Sequence, residues 1–157
     1  MSVTVRAAGA TEDWPAVRAL LVEAFAFMEG RIDPPSSLHR MTAADLAATA
    51  GEGAAFFAHD GGALVGCAFA SMKGDALYLG KVAVAASARR RGVTRAMFTA
   101  AEAEARRRGL AALELQTRIE LVENHETFAR LGFVRTAETA HPGFDRPTSV
   151  TMRKGIF

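Results

Sequence analysis

The stretch YLGKVAVAASARRRGVTRAMFTAAEAEARRR, residues 78–108, decides how the rest of the chain is read. It opens as an apolar strand over residues 78–84, crosses a small-residue turn at 85–88, and meets the corner Arg89-Arg90-Arg91-Gly92-Val93-Thr94. From about Arg91 to Arg108 it reads as an alanine-rich helix. The first turn of a helix has backbone N–H groups without intrahelical partners, and the peptide dipoles favour negative charge there. Gly92 lets the backbone approach a ligand closely. Arg89, Arg90, Arg91 and Arg95 add positive charge. Cations gathered at a helix N-terminus are unfavourable unless an anion is bound. The corner is therefore read as a place to hold phosphate. The second cluster, Arg106, Arg107 and Arg108, has a plainer explanation: cations suit a helix C-terminus, and Gly109 ends the helix.

The surrounding chain has 157 residues, half of them apolar and 23% charged, which suits one globular domain over residues 1–157 with a real core. No apolar run is long enough to span a bilayer. The start, MSVTVRAAGATEDW, lacks a basic-then-apolar leader pattern, so a cytoplasmic protein without a membrane partner is expected. The net charge of +2 gives little reason to expect nucleic acid, and the arginines lack the interleaved aromatics of a single-strand binder. Cys67, the one cysteine, sits in LVGCAFA and reads as a buried, inert thiol. His39, His59, His125 and His141 are scattered without ligand spacing, so no metal is expected.

In chain order, residues 3–7 alternate as a first strand. Thr11 is placed to cap a helix whose apolar face is Val17, Leu20, Leu21, Ala24, Phe25 and Met28, with Gly30 as its stop. RIDPPSSLHR, residues 31–40, is a loop. Thr42 caps a second helix ending before Gly51. Strands at 54–59, 63–72 and 76–84 follow, the first two joined by an Asp60-Gly61-Gly62 hairpin turn. The long helix offers Val93, Ala96, Met97 and Ala100 to this sheet. A strand at 110–117, a short helix capped by Asn124, a strand from Phe133, a loop at 141–148 and a strand at 149–153 complete the chain. This is an α/β (α+β) chain: a mixed, mostly antiparallel sheet of about seven strands flanked by about four helices. The unit from 76 to 117 should be a right-handed parallel crossover.

That order, with the corner after VAV and ENHETFARLGF downstream, resembles the Gcn5-related N-acetyltransferase (GNAT) family. The family pattern is a strand, then Arg or Gln, two residues, Gly, one residue, and Gly or Ala; here it reads Arg89-Arg90-Arg91-Gly92-Val93-Thr94. The resemblance implies the acyl-CoA N-acyltransferase fold. It implies transfer of an acetyl group from acetyl-CoA to a primary amine of a small molecule or peptide. It places the pantetheine arm and thioester along Val82, Ala83 and Val84, and the pyrophosphate on the amides from Arg90 to Arg95. Asn124 would hydrogen-bond the lower pantetheine. The strands at 76–84 and 110–117 would splay to admit the cofactor. A homodimer is common in the resembling family.

Two positions depart from the pattern. Thr94 replaces a small residue, and Phe128 stands where many relatives carry a tyrosine that protonates the leaving thiolate. A base often found as glutamate on the strand before VAV is also missing, with Gly80 in its place. No catalytic side chain is assigned. Tyr78, Glu114, His39 and His141 are the candidates for removing the amine's proton, each with a plainer structural reading. The acceptor would be met by Phe27, Met28, Arg31 and His39 from the first loop, by Tyr78, and by His141 and Phe144 from the last. The missing acid and base keep open an alternative, a CoA- or acyl-CoA-binding module without turnover.

Overall fold

The computed structural model describes residues 2–156. Seven strands and four α-helices alternate in the order β1 Val3–Ala7, α1 Trp14–Phe25, α2 Ala43–Glu52, β2 Ala54–Asp60, β3 Ala63–Lys73, β4 Ala76–Val84, α3 Val93–Arg107, β5 Ala112–Arg118, α4 Val122–Arg130, β6 Val134–Thr139 and β7 Ser149–Gly155. The strands form one sheet in the order β1-β2-β3-β4-β5-β7-β6. All neighbours are antiparallel except β4 and β5, which are parallel and joined through α3.

Strict alternation gives each strand two faces. On β2, Phe56 and Ala58 join Leu77, Leu79, Leu113, Leu115, Val150 and Met152 in the core under α3. Ala55 and Phe57 face the other way, with Cys67 and Phe69, into a second core under α1 and α2. A fully buried leucine or phenylalanine contributes about 1.5–3 kcal/mol by leaving water. Cys67 is fully buried, and burial pushes its thiol up to about 12, which makes it the inert residue expected. The sheet side of α3 is Val93, Met97, Phe98, Ala101 and Ala105, rather than the stripe through Ala96 and Ala100, which are only half-buried.

The helix starts differ from the sequence reading in informative ways. Asp13, not Thr11, caps α1, its carboxylate accepting the Ala16 N–H at 3.1 Å. Glu12 is taken instead by Arg6, at 2.7 Å. The helix stops at Phe25 and tightens into a 3₁₀ turn at Ala26–Met28 before Gly30 is reached. Thr42 does cap α2, in a reciprocal pair with Asp45. Asn124 caps nothing: α4 begins at Val122, and Asn124 lies within its first turn. The long helix begins at Val93, two residues after Arg91.

Candidate active site

β4 and β5 pair only from Ala76↔Ala112 to Leu79↔Leu115. Beyond Leu115, β5 keeps its antiparallel partner β7 as far as Arg118↔Ser149. β4 instead follows β3, with Cys67 opposite Ala83 and Gly66 opposite Val84. The two strands therefore part. The cause on the β4 side is an extra residue: the register shifts between Cys67 and Phe69, and Lys81 sits at φ +48°. A bulge of this kind bends its strand and sharpens the local twist. Across the gap, the β5-facing edge of Val82–Val84 is left without a strand partner.

At the far end of β4 the corner turns sharply. Arg90 and Gly92 both adopt positive φ, +64° and +76°. Gly92 is the N-cap of α3 and no side chain caps this end. The first helical bond is Ala96 N–H to the Gly92 carbonyl, so the amides before Ala96 lack intrahelical acceptors. Arg89, Arg90, Gly92 and Arg95 are exposed, and Arg89, Arg90 and Arg95 form no ion pair among the described residues. Arg89, Arg90 and Thr94 line a cavity that continues along Val82, Ala83 and Val84 to Asn124 and Phe128. The Arg106–Arg108 cluster behaves as a helix end should, pairing with Glu102 and Glu104 one turn back.

Val82, Asn124 and Phe128 also line a second cavity, of about 290 Å³, which opens between the parted strands. Tyr78, Gly80, Lys81, Gln116, Arg118 and His141 complete it. Burial pushes the Tyr78 phenol above its ordinary value, with Glu114 adding to the effect. Burial and the nearby Arg118 hold the His141 imidazole below 6.5. Its Nδ1 meets the Thr148 hydroxyl, which also accepts the His141 backbone N–H at 2.9 Å. The loop over this cavity is tied to the β5–α4 corner. Arg118 donates to the Pro34 carbonyl at 2.6 Å, the Glu120 carboxylate accepts the Asp33 N–H at 3.2 Å, and Arg31 pairs with Glu123 at 2.8 Å.

A model of the acetyltransferase (GNAT) family matches residues 14–133. This chain belongs to the GNAT family. No curated protein gives a significant match. Solved structures share the GNAT fold over nearly the whole chain. The ribosomal-protein-S18-alanine N-acetyltransferase from Escherichia coli is 22% identical, with a TM-score of 0.72 over 99% of this chain and 94% of its own. The PaiA N-acetyltransferase from Thermoplasma acidophilum, solved with coenzyme A, is 12% identical, with a TM-score of 0.80 over 99% and 100%. The IAA acetyltransferase from Bacillus cereus is 17% identical, with a TM-score of 0.69 over 99% and 100%.

Within this GNAT fold the expected residues separate into groups. Val82, Ala83, Val84, Arg89, Arg90, Thr94, Asn124 and Phe128 gather on one cavity, together with Phe27, Met28 and Arg31. Arg91, Gly92, Val93 and Arg95 are not on that lining; Val93 is buried in the core, so it offers the site only backbone. Tyr78 and His141 reach the second cavity. His39 does not: it pairs with Glu29 at 3.1 Å in a neighbouring pocket beyond Met28 and Ile32. Phe144 lines neither cavity, packing edge-on against His141 with Arg146 over its ring. Glu114 is half-buried rather than solvent-facing, between Lys73 and Arg153. Phe128 has a packing role, stacked on Phe98 at 6.0 Å and edge-on to Phe133. Lys81 and Arg118 join the lining without a signal in the sequence, because a lysine on a strand and an arginine at a strand end carry no pattern.

Proposed function

We propose that this chain transfers the acetyl group of acetyl-CoA to a primary amine of a small molecule or peptide by direct attack. The observation that carries this reading is the partnerless edge of Val82–Val84, exposed where β4 leaves β5. Backbone groups there suit the amides of a pantetheine arm. The positive-φ corner at one end of the same cavity suits its pyrophosphate. Asn124 and Phe128 stand at the junction with the second cavity, which is where a thioester would meet the acceptor.

The amine nitrogen attacks the thioester carbonyl carbon. A C–N bond forms, the C–S bond breaks, and CoA leaves as a thiolate. The acceptor must first lose a proton. Of the four candidates, His39 and Glu114 are paired elsewhere, and Tyr78 is held in its protonated form. His141 fits best: it lines the acceptor cavity, and its lowered pKa keeps it neutral at physiological pH. Phe128 has no proton to give. A thiol of pKa about 8.5 leaves readily enough to take its proton from water.

Titration with acetyl-CoA, followed by a thiol-release assay across an amine panel, tests this reading. Binding with turnover is expected. No binding at high micromolar acetyl-CoA rules it out, and tight binding with no thiol release leaves only a CoA-binding module.

A further inference from the structure

The acceptor cavity has an unusual charge balance. Its lining includes two cations, Lys81 and Arg118, together with His141, and no carboxylate. The acids nearby lie off this lining, and of them Glu120 keeps one buried carboxylate oxygen, Oε1, without a hydrogen-bond partner among the described residues. Glu114 pairs with Lys73, Glu123 with Arg31 in the cofactor cavity, and Glu120 accepts the Asp33 N–H. Arg118 has Asp33 and Glu120 beside it and donates to the Pro34 and Pro35 carbonyls.

Lys81 stands apart. Its side chain is half-buried, its backbone is held at φ +48° by the bulge, and no acid lies within ion-pairing distance among the described residues. Burial pulls its ammonium below the ordinary lysine range, and nothing compensates. A partly desolvated cation without a partner is costly, and an incoming anion removes that cost. A protein chain could have put Gly at this φ, yet the lysine is what the bulge delivers to the cavity.

We infer, resting on the acetyltransferase reading above, that Lys81 anchors an acidic group on the acceptor, so that the substrate is a small amine carrying a carboxylate close to its amino group. Free amino acids have this chemistry; amines and amides without the acid do not. The same lining explains how an ammonium becomes a nucleophile here. The cations on the lining disfavour the acceptor's charged form, which eases loss of its proton to His141.

Matched acceptors decide the matter. Thiol release is measured at saturating acetyl-CoA for a set of free amino acids and for their carboxamides. The acids are expected to have kcat/KM about ten- to hundredfold higher, the size of one charge-assisted hydrogen bond. In Lys81→Gln that preference should collapse towards parity, through KM, and Lys81→Arg should restore part of it. Acetyl-CoA titration of each variant shows that the fold and cofactor end persist. Carboxamides that equal or outrun the acids overturn the inference, as does acetyl-CoA binding with no acid-bearing amine turned over. Acetylation of Lys81 itself by acetyl-CoA alone, seen by mass spectrometry, also overturns it. Carboxamides turned over as well as the acids leave the acetyltransferase reading standing while removing this one; failure to bind acetyl-CoA removes both.

Discussion

Gly92 and His141 carry the two ends of the chemistry, and each can be tested singly. Gly92 holds φ +76°, and a Cβ built on it would meet nothing within 4 Å. Gly92→Ala therefore costs backbone strain alone, about 1 kcal/mol. Gly92→Glu has the same strain but adds a carboxylate that suits the positive end of α3. Its fold should persist while its acetyl-CoA affinity drops by about tenfold or more, since the new charge sits where phosphate is expected. Titration beside a thermal melt checks this; unchanged affinity in the glutamate variant places the phosphates elsewhere. His141 acts on the acceptor side. A base must be neutral to accept a proton, and the neutral fraction falls as pH drops through its pKa. With that pKa held below 6.5 by burial and Arg118, kcat/KM should be flat near pH 7–8 and fall only under about 6.5. His141→Gln should lose on the order of 100-fold and lose that acid limb. A limb that survives the substitution assigns the proton to another group.

The elements hold these residues in place, and one tight joint is where α3 meets β3. A Cβ on Gly66 would come within 2.8 Å of Val93 Cγ1 and 3.2 Å of Met97 Sδ. Gly66→Ala overpacks that joint, at about 1–3 kcal/mol, and pushes on the first turn of α3. Both the melting temperature and acetyl-CoA affinity should fall; a lower melt with intact affinity would mean the helix moves without its corner. Much of this scaffold was legible in the sequence. The Asp60-Gly61-Gly62 turn, the Thr42 cap and the alternation of β2 are local signals, and they gave the right elements in the right order. What escaped depends on partners far away in the chain. The bulge at Lys81 exists only relative to β3, and the parting of β4 from β5 only relative to β7. His125 is a third case. Its Nδ1 accepts from Arg135 at 3.0 Å, since an arginine can only donate, so Nε2 carries the proton and gives it to the Arg118 carbonyl at 3.0 Å. A scattered histidine thus fixes α4 to the end of β5, which no spacing rule could reveal.

At the scale of the whole molecule, the sheet is weakest where the site lies. Among the described residues the strand pairing between β1–β4 and β5–β7 runs only from Ala76↔Ala112 to Leu79↔Leu115, with the Lys73–Glu114 and Arg153–Asp75 ion pairs at the closed end and the α3 crossover beside it. Across the opening the halves are tied by the 31–36 loop, through Arg118 to Pro34, Arg31 to Glu123 and Arg146 to Asp33. The two exposed ion pairs among these, Arg31–Glu123 and Arg146–Asp33, are worth about 0–1 kcal/mol each. A ligand seated along Val82–Val84 and touching Asn124 on α4 would bridge both halves. At about 100 times its Kd, acetyl-CoA should then stabilise the fold by about 2.7 kcal/mol. For a chain of this length that is a rise in melting temperature of about 5–10 °C. At the same acetyl-CoA concentration Gly92→Glu should cut the rise to about half or less, because a tenfold weaker Kd leaves about 1.4 kcal/mol. Hydrogen exchange distinguishes a bridge from a local contact: amides of α4 should slow together with those of the α3 first turn and of Val82–Val84. Slowing confined to α3 would mean that the ligand grips the corner without spanning the gap, and the β4 edge would then have no part in binding.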